Sequence, residues 1–360
     1  MNIKQKKSFT IFIFFSKLFF MKHNLKNILF VQMGGIGNMV MLTPTIQLFM
    51  EKYPDAKLHF LVSKTGNKLV IEKNPQLGQI IELDSNLMNF TKLIMRIKKL
   101  NCELMFISAR TNILKSAILG ILSGIKYRLG ENRGLAAKLL NVKNEVDTNL
   151  HDVMVNINLA RNFIDSEEVP DTILWTCEKD RTEAQEFIKS NRKLIGIHPG
   201  SGPFMGYKRW PLENFIELIK KLITLHPAYD IVIFGGKEEE AFAEKIRNNV
   251  KDADRLISAC GKLSLRASFE LMKKCELFIT NDSGPMHLAS ASGTKILALF
   301  GPTSEKISGP WGKGHTIIRS KLDCSPCYYN KEIKCEHYAC MKKIDVDTVY
   351  QKCLVKKGSN

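Results

Sequence analysis

Asn281-Asp282-Ser283-Gly284-Pro285-Met286-His287-Leu288-Ala289 is the most informative segment of this sequence. It follows a short apolar run, Leu277-Phe278-Ile279-Thr280, that is typical of a buried parallel strand, and it leads into a short helical pattern over residues 286–292. A tight turn between a strand and a helix lies at the carboxyl end of the strand, where open α/β sheets bind their ligands. The sequence therefore predicts an α/β protein with a ligand site at this turn.

The residue types of this turn suit an anion such as a phosphate. Asp282 or Ser283 can cap the helix. Gly284 permits close approach of the backbone, and Pro285 fits a first-turn position where its missing N–H costs nothing. The amides of the helix start and the helix dipole then favour negative charge, and His287 adds a ring N–H donor. An ordinary capped helix after a strand is the alternative interpretation.

The composition is that of a soluble globular protein. The chain has 360 residues, enough for two domains of ordinary size, with 44% hydrophobic and 25% charged residues. Its net charge of +17 implies attraction to anions: nucleic acid, an acidic membrane surface or phosphorylated small molecules. The lysines are scattered without a basic block or a recognisable nucleic-acid module, so we predict no nucleic-acid partner.

The N-terminal segment is apolar but contains no uninterrupted run of transmembrane length. Residues 9–21 follow three lysines and are interrupted by Lys17. A signal peptide is one interpretation, although no small-x-small cleavage site follows. A peripheral membrane anchor is a second, and an upstream extension of a reading frame that starts at Met21 is a third. We favour the third, and residues 1–20 are left out of the predicted fold in either case.

The nine cysteines fall into two groups. An odd number and five isolated positions argue against a secreted disulfide framework and favour a reducing cytoplasm; the isolated residues are Cys102, Cys177, Cys260, Cys275 and Cys353. The others form a cluster that includes His337 and could bind a structural zinc ion: Cys324, Cys327, Cys335 and Cys340. Free thiols or one local disulfide are the competing interpretation.

Alternating strands and helices predict a first domain with a parallel sheet covered on both faces. Its first strand, residues 27–32, ends in the turn Met33-Gly34-Gly35-Ile36-Gly37-Asn38, a geometry that can cradle phosphate. The G-G-x-G spacing matches neither a nicotinamide-binding fingerprint nor a P-loop. Further strands are predicted at 57–62, 79–83 and 104–107, with helices near 67–72, 89–100, 112–122 and 152–164. A linker follows, between residues 165 and 180.

The second half of the chain repeats this plan. A strand at 194–198 is followed by the glycine-rich loop 199–210, in which Lys208 and Arg209 are placed to reach a phosphate, with a solvated surface pair as the alternative. A strand at 230–234 ends in Gly235-Gly236, which lets a ligand approach the backbone. The glutamates at 238–240 could bond a ribose hydroxyl or simply stabilise the first helical turn. Later strands are predicted near 256–257, 277–280 and 294–300, and Ser264 is predicted to cap a helix.

Taken together and in this order, the motifs resemble those of glycosyltransferase family 9, the lipopolysaccharide heptosyltransferases. The resemblance covers about residues 26–350, and even the cysteine-bearing tail is similar. It rests on the glycine-rich first turn, His198-Pro199-Gly200-Ser201, Lys208-Arg209-Trp210-Pro211, Phe234-Gly235-Gly236, the segment 281–289 and Leu299-Phe300-Gly301-Pro302-Thr303. The Asp-Ser-Gly-Pro-x-His block is specific in this combination and weak alone.

The resemblance implies a GT-B architecture, with two Rossmann-like parallel-sheet domains facing a central cleft. It divides the chain into an extension (1–25), an acceptor-binding domain (26–178), a nucleotide-sugar-binding domain (179–322) and a cysteine-containing tail with a C-terminal helix (323–360). It also implies inverting transfer of a sugar, in this family typically a heptose from ADP-heptose, to a lipid-linked saccharide of the lipopolysaccharide-core type. No metal cofactor is implied. The expected location is cytoplasmic, with peripheral contact to the anionic inner face of the cytoplasmic membrane.

The resemblance also implies roles for single residues. Lys208, with the amides of Ser283 and Gly284, would stabilise the departing pyrophosphate, Asp282 would hold sugar hydroxyls, and His287 would bond the phosphate or fix the turn. The full donor set is Ser201, Lys208, Gly235, Gly236, Glu238, Leu263, Asp282, Ser283, Gly284 and His287. The acceptor-side loop contains Gly34, Gly35 and Gly37. Asp345-Val346-Asp347 looks like a metal motif but is better explained as a helix cap.

One position departs from the family pattern. In characterised heptosyltransferases the first turn ends in Gly-Asp, and that aspartate is the proposed base; here the turn ends in Gly37-Asn38. An amide cannot be a general base, and loss of a positioned base costs about 10² to 10⁴ in rate. Another carboxylate or histidine could serve, or Asn38 could orient the acceptor. The chain could instead be a non-catalytic nucleotide-sugar binder or a GT-B sugar epimerase.

Overall fold

The computed structural model describes residues 24–64, 66–83, 90–189, 191–202, 205–327 and 335–353. The apolar N-terminal extension, and with it every prediction about residues 1–20, lies outside the described residues.

The first domain is built on a parallel sheet of six strands in the order β3-β2-β1-β4-β5-β6. The strands are β1 (Asn27–Gln32), β2 (Lys57–Ser63), β3 (Leu77–Leu83), β4 (Leu104–Ile107), β5 (Tyr127–Glu131) and β6 (Val142–Asn144). Helices cover both faces of this sheet: α1 (Ile36–Lys52), α2 (Lys68–Ile71), α3 (Phe90–Lys98), α4 (Ile113–Leu122) and α5 (Asp152–Ala160), with a 3₁₀ helix at Leu135–Leu139.

The second domain has a sheet of six parallel strands in the order β12-β11-β10-β7-β8-β9. The strands are β7 (Lys193–His198), β8 (Tyr229–Ile233), β9 (Leu256–Ser258), β10 (Cys275–Asn281), β11 (Ile296–Phe300) and β12 (Thr316–Arg319). The helices are α6 (Glu178–Phe187), α7 (Leu212–Leu225), α8 (Glu240–Asn249), α9 (Leu265–Met272), α10 (Gly284–Ala291), α11 (Glu305–Ser308), α12 (Ala339–Lys342) and α13 (Val346–Cys353). Single 3₁₀ turns lie at Gly206–Lys208, Lys237–Glu239 and Ala253–Arg255.

Both sheets have the same strand order. In each, the first strand of the chain lies at the centre, the next two strands are added on one side, and the last three are added on the other side. In the first sheet the direction of growth reverses between β1 and β4, and in the second between β7 and β10. Ligands of open α/β sheets bind at the carboxyl ends of the strands at such a reversal. This topology therefore points to the loops after β1, β4, β7 and β10.

The predicted apolar runs coincide with strands of the structure, including the short run at 256–257 that forms β9, whereas three strands were missed. The predicted strands at 27–32 and 104–107 agree with β1 and β4, and Ser264 caps α9 as predicted because its Oγ accepts the Ala267 N–H at 3.1 Å. The strands β5, β6 and β12 are missing from the prediction. They read Tyr-Arg-Leu-Gly-Glu, Val-Lys-Asn and Thr-Ile-Ile-Arg, so they show no continuous apolar run. Helix α6 also begins inside the predicted linker.

The two domains share a contact built from α1 and α10. These helices pack on each other, and one hydrophobic core contains Met39 and Leu42 of α1 together with Met286 and Leu288 of α10. Polar links add to this contact at two other points. Arg266 of the second domain lies 2.8 Å from the Glu72 carboxylate, and His151 Nε2 lies 3.0 Å from the Gly309 carbonyl oxygen.

The end of the described chain belongs to the second domain. Helix α13 packs against α7, and the Trp210 indole N–H donates to the Ile344 carbonyl at 2.9 Å. Asp345 accepts the Thr348 backbone N–H at 2.8 Å, so the Asp345-Val346-Asp347 sequence is a helix cap, as predicted. Across the residues that the structure describes, no helix combines the length and the apolar character needed to span a bilayer.

Gly196 in the middle of β7 provides a test of how tightly the core packs against the second sheet. A Cβ built on Gly196 would lie 2.5 Å from the Phe278 ring and 3.0 Å from the Phe234 ring. We expect Gly196→Ala to lower the free energy of unfolding by about 1–3 kcal/mol through overpacking. The measurement is the urea unfolding midpoint, with Gly206→Ala as the control because nothing lies within 4 Å of its added carbon. Equal midpoints for the two variants would contradict this account of the core.

Candidate active site

The turn between β10 and α10 leaves the start of the helix without a side-chain cap. Ser283 occupies the N-cap position but makes no capping hydrogen bond. Its hydroxyl turns toward the sheet instead, 3.2 Å from His198 Nδ1 and 3.3 Å from the Thr280 hydroxyl. The prediction that Asp282 or Ser283 caps this helix is therefore wrong, because both side chains have other partners. Pro285 has no N–H and the Met286 N–H bonds the Ser283 carbonyl at 3.2 Å, so the amides of Ser283 and Gly284 are those that can bind an anion.

Lys208 and Asp282, both predicted site residues, form an ion pair. The Lys208 Nζ atom lies 2.7 Å from Asp282 Oδ2, although the residues are 74 positions apart. The Lys208 side chain is 16% exposed and that of Asp282 is 5% exposed. A short 3₁₀ helix, Gly206–Lys208, brings the lysine over the end of β10. The structure thus places a shielded ammonium group beside the uncapped helix start.

Asn281, the last residue of β10, holds the neighbouring loop in place. Its amide nitrogen donates to the carbonyls of Pro199 and Gly200 at 2.9 and 3.0 Å, and its oxygen accepts the Trp210 N–H at 3.0 Å. One buried side chain therefore fixes both ends of the loop that carries Lys208. Asn281 belongs to the motif 281–289, but no local sequence pattern indicates this role.

Ser201 and Arg209 are used within this loop. The Arg209 guanidinium donates to Ser201 Oγ at 3.1 Å and to the Gly202 carbonyl at 2.7 Å. The Ser201 hydroxyl donates in turn to the Met205 carbonyl at 2.6 Å. Arg209, which the sequence placed near a phosphate together with Lys208, is thus a loop-bracing residue in this conformation. The predicted donor contact of Ser201 remains a prediction.

Burial keeps His198 of β7 and His287 of α10 neutral. Desolvation is the main cause that lowers the pKa of His198 to about 3, and the nearby charge of Arg209 adds to it. Desolvation also lowers the pKa of His287 to about 4, although the Asp282 carboxylate opposes this shift. His287 is 5% exposed, and among the described residues its ring nitrogens have no hydrogen-bond partner. It is a neutral imidazole that faces the domain contact.

The glycine-rich turn after β1 meets the α10 turn across the cleft. A Cβ built on Gly37 would lie 2.6 Å from His287 Cδ2 and 3.3 Å from its Nε2, and one built on Gly284 would lie 3.6 Å from Ile36 Cβ. Helix α1 begins after Gly35, which provides no side-chain cap either. Two uncapped helix starts, one from each domain, therefore approach the same point, and their dipoles favour an anion between them.

Asn38 is half-buried in the first turn of α1. Its side chain folds back over Gly34, since a Cβ built on that glycine would lie 2.6 Å from Asn38 Cγ. Within the described part of the chain its amide makes no side-chain hydrogen bond. The amide thus remains free to bond a ligand at the position of the family's aspartate.

The loop after β8 is organised by Glu239 rather than by Glu238. Glu239 is 3% exposed, and its carboxylate accepts the Gly236 N–H at 2.8 Å. A Cβ on Gly200 would lie 2.4 Å from Glu239 Oε1, and one on Gly235 would lie 2.4 Å from its Cβ. Desolvation raises the pKa of this carboxyl group. Glu238 is exposed above Gly236. Because three glutamates are adjacent in the sequence, no local pattern shows which of them is buried in the loop and which is exposed.

Leu263 lines an open depression of about 620 Å³ between α6 and the start of α9. Its neighbours in that depression include Lys179, Glu183 and Lys262. Since none of the other predicted donor residues lines it, the role of Leu263 as a donor-binding residue stays a prediction.

A group of charged residues that the sequence analysis missed lies at the carboxyl edge of the first sheet. Arg110, after β4, donates through Nε to Asp152 at 2.7 Å, and Arg133, after β5, pairs with Glu131 at 2.9 Å. Burial raises the pKa of Asp152, and the guanidinium of Arg110 opposes that shift. No periodic pattern marks these residues, and β5 itself was not predicted. They line the same edge as the glycine-rich turn.

The four clustered cysteines differ in exposure, from exposed Cys324 to buried Cys340, with Cys327 and Cys335 between them. Desolvation raises the pKa of Cys327 and of Cys340, and the charges of the neighbouring cysteines add to it. Among the described residues no group of three or more His, Cys, Asp or Glu is arranged to hold a metal ion. The structural zinc site therefore remains a prediction.

Comparison with known proteins identifies relatives of this chain. Lipooligosaccharide heptosyltransferase 2 of Campylobacter jejuni is 31% identical over 167 residues, 46% of this chain and 51% of the relative. The chain thus spans about half the length of this curated relative. The structure of E. coli ADP-heptose lps heptosyltransferase II has a TM-score of 0.74 at 22% identity, with 91% of this chain and 97% of that chain covered. E. coli heptosyltransferase WaaC with ADP gives 0.70 at 16% identity, with 91% and 98% covered.

The structural likenesses establish that the two facing parallel sheets form a GT-B fold. The model of the family described as "Glycosyltransferase family 9 (heptosyltransferase)" matches residues 92–338, more than two thirds of the chain, and this range contains β4 to β6 of the first sheet and all six strands of the second. These residues include the loops after β4, β7, β8 and β10. With the resemblance of its motifs and the paired helix starts at its cleft, the chain therefore belongs to glycosyltransferase family 9.

Proposed function

We propose that this protein transfers a heptose from ADP-heptose to a lipid-linked saccharide of the lipopolysaccharide-core type, with inversion at the anomeric carbon. The observation that carries the proposal is the Lys208–Asp282 pair beside the uncapped start of α10. The names of the relatives supply the sugar and the nucleotide. The reaction would take place at the cytoplasmic face of the membrane that holds the acceptor.

The donor half of the reaction needs positive potential where the pyrophosphate leaves. As the glycosidic bond breaks, charge develops on the phosphate oxygen, and preorganised donors there lower the barrier. The Lys208 ammonium group and the α10 amides lie together at this point, and the start of α1 adds a second dipole. Transfer with these groups requires no divalent cation. Asp282 holds Lys208 in position and offers its carboxylate to sugar hydroxyls.

The acceptor half requires a group that takes the proton of the attacking hydroxyl, and we propose His287 for this role. Asn38 cannot accept a proton, and the nearby carboxylates Asp282, Asp152 and Glu131 each have a cationic partner. His287 is neutral, and its Nε2 lies next to Gly37, directly before the family's base position. An imidazole with a pKa near 4 has about the basicity of an ordinary aspartate. Asn38 would orient the hydroxyl.

Two other functions would use the same fold. A sugar epimerase would release free sugar without an acceptor, and a non-catalytic binder would bind the nucleotide without turnover. The relatives favour transfer, since the three named above are heptosyltransferases. The neutral His287 beside Gly37 also supports transfer over binding alone, because it offers a candidate replacement for the missing aspartate.

The donor base can be identified by thermal shift. We expect ADP to raise the melting temperature and UDP or GDP to have little effect, because a ligand at 100 times its Kd stabilises the native state by about 2.7 kcal/mol. Stabilisation by UDP alone would contradict ADP-heptose as the donor while leaving a transferase of this family possible.

The ion pair at the donor site provides a second test. We expect Lys208→Ala and Asp282→Ala each to lower kcat for heptose transfer by about 10² to 10³, the scale of losing one preorganised charge-stabilising donor. The measurement is ADP release coupled to acceptor modification, with circular dichroism as the check on folding. Lys221→Ala is a matched control, because Lys221 also pairs with a carboxylate, Asp347, but on the far surface of α7. Full activity in both site variants would show that the donor site is misassigned.

The role of His287 is tested by replacement and rescue. We expect His287→Gln to lower kcat by about 10² to 10⁴, the usual contribution of a general base. Adding Asn38→Asp to that variant would place a carboxylate at the family's base position and restore much of kcat. In the unmodified protein kcat/KM should stay level from pH 8 to about pH 5 and fall as the imidazole protonates toward its pKa of about 4.

A purely donor-binding role of His287 predicts a different result. The variant His287→Gln would then raise KM for the nucleotide-sugar, and Asn38→Asp would bring no recovery of kcat. That pattern would contradict His287 as the base without affecting the proposed transfer itself.

A further inference from the structure

The outward face of α4 is apolar where a surface helix of a soluble protein is normally polar. Leu114, Ile118, Ile121 and Leu122 are 49%, 36%, 43% and 51% exposed. Their spacing of four, three and one residues puts them on one side of the helix. Lys115 is the one other exposed residue between them. Single exposed apolar side chains are common, but a contiguous set of this kind marks an interaction surface.

A second segment extends this apolar area. The 3₁₀ helix Leu135–Leu139 packs against α4, and its first residue, Leu135, is 80% exposed. We call these five residues the α4 surface: Leu114, Ile118, Ile121, Leu122 and Leu135.

The α4 surface has no remaining role in the core of the first domain. The opposite side of α4 already packs into the sheet through Ile113, Ala117 and Leu119, which are 6% exposed or less. That core cluster contains residues of the first domain alone. The contact with the second domain is made elsewhere, by α1 and α10. The α4 surface is therefore a free face of the described structure.

The surroundings of the α4 surface are strongly basic. Residues 90–143 contain eleven Lys or Arg and two Glu, a net charge of +9 out of +17 for the whole chain. One glutamate neutralises a single exposed cation, and the other bonds backbone N–H groups. Glu131 is buried and paired with Arg133, and Glu103 accepts the backbone N–H groups of Lys26 and Asn27. The exposed cations around the apolar side chains are Lys115, Lys126, Arg133 and Lys138.

We propose that the α4 surface docks on an anionic lipid bilayer. Apolar side chains on one side of a helix, surrounded by lysine and arginine, are what an interfacial membrane contact requires: the former enter the headgroup and acyl boundary, and the latter meet lipid phosphates. The local charge favours this partner over a second copy of the chain, because two faces with this excess of positive charge repel each other.

The α4 surface lies where a bilayer contact would bring a lipid-linked acceptor to the cleft. This step alone rests on the proposed function. Helix α4 begins directly after the loop that carries Arg110, and Leu135 follows Arg133 by two residues. Both loops lie at the carboxyl edge of the first sheet, beside the acceptor-side glycine turn. A bilayer under α4 would hold a lipid-linked acceptor with its saccharide next to the cleft.

The test is co-sedimentation of the full chain with sucrose-loaded vesicles. We expect binding to vesicles of phosphatidylcholine with about 30 mol% phosphatidylglycerol, and weak binding to vesicles of phosphatidylcholine alone. Raising NaCl should weaken it, because the cations are screened. The variant Leu114→Ser/Ile118→Ser/Ile121→Ser/Leu122→Ser should lower the partition coefficient by about 10- to 100-fold, since it removes most of the apolar contact.

Two further variants separate this surface from general effects. Leu225→Ser/Ile317→Ser removes exposed apolar side chains of the second domain, 57% and 39% exposed, and should bind as the unmodified chain does. Lys115→Glu/Lys126→Glu/Lys138→Glu changes exposed positions alone and should abolish the preference for anionic vesicles. A melting curve and ADP-induced stabilisation confirm that each variant is folded.

Three outcomes would overturn the proposal. The first is that the unmodified chain does not bind anionic vesicles, and the second is that the serine variant binds them as well as the unmodified chain, so that another segment carries the contact. The third is that the unmodified chain is a dimer in sedimentation velocity and the serine variant is a monomer, which would make the α4 surface a contact between copies. None of these outcomes changes the expected transfer to a soluble acceptor analogue, so they are distinct from failure of the proposed function.

Discussion

The hydrogen bonds of the buried Asn281 amide are the constraint on which the candidate site depends. Strands β7 and β10 are neighbours because the second sheet reverses its direction of growth between them, and this brings their carboxyl ends side by side. Asn281 then bonds the start and the end of the loop after β7, so Lys208 is carried to Asp282. The hydrogen bonds of Asn281 thereby place a charged side chain at the carboxyl ends of these strands. Without it, the lysine would be one more surface cation in a strongly basic chain.

Glycine at the domain contact has a related effect. Gly37 lets α1 approach α10 closely, because a Cβ there would lie 2.6 Å from the His287 ring, and the starts of both helices point toward one place. Each helix lacks a side-chain cap, since Gly35 has none to offer and Ser283 is bonded to His198. Both helix starts thus lack the stabilisation that a side-chain cap normally gives. Locally unfavourable features of this kind cluster at functional sites, and here both leave amides facing the cleft.

The sequence predicted those parts of the molecule that depend on local pattern. Apolar runs located β1 and β4, and the strand-turn-helix motif located the α10 turn together with Lys208. It could not predict which polar side chain meets which, because that depends on contacts between distant residues. The Ser283 hydroxyl prefers His198, 85 positions away, to its own helix. In the same way, Arg110 and Asp152 meet only once β4, β5 and α5 are assembled, and β5 has too few apolar residues to be recognised.

The replacement of the family's aspartate by Asn38 can be understood from the same close approach. Gly37, directly before Asn38, lies against the His287 ring. Desolvation lowers the pKa of His287 to about 4, so the imidazole is neutral and a ring nitrogen can accept a proton. In the proposed mechanism His287 takes the role of that aspartate, so the second domain would supply the base in place of the first. The Lys208–Asp282 pair, which would face the departing pyrophosphate, is retained in this chain.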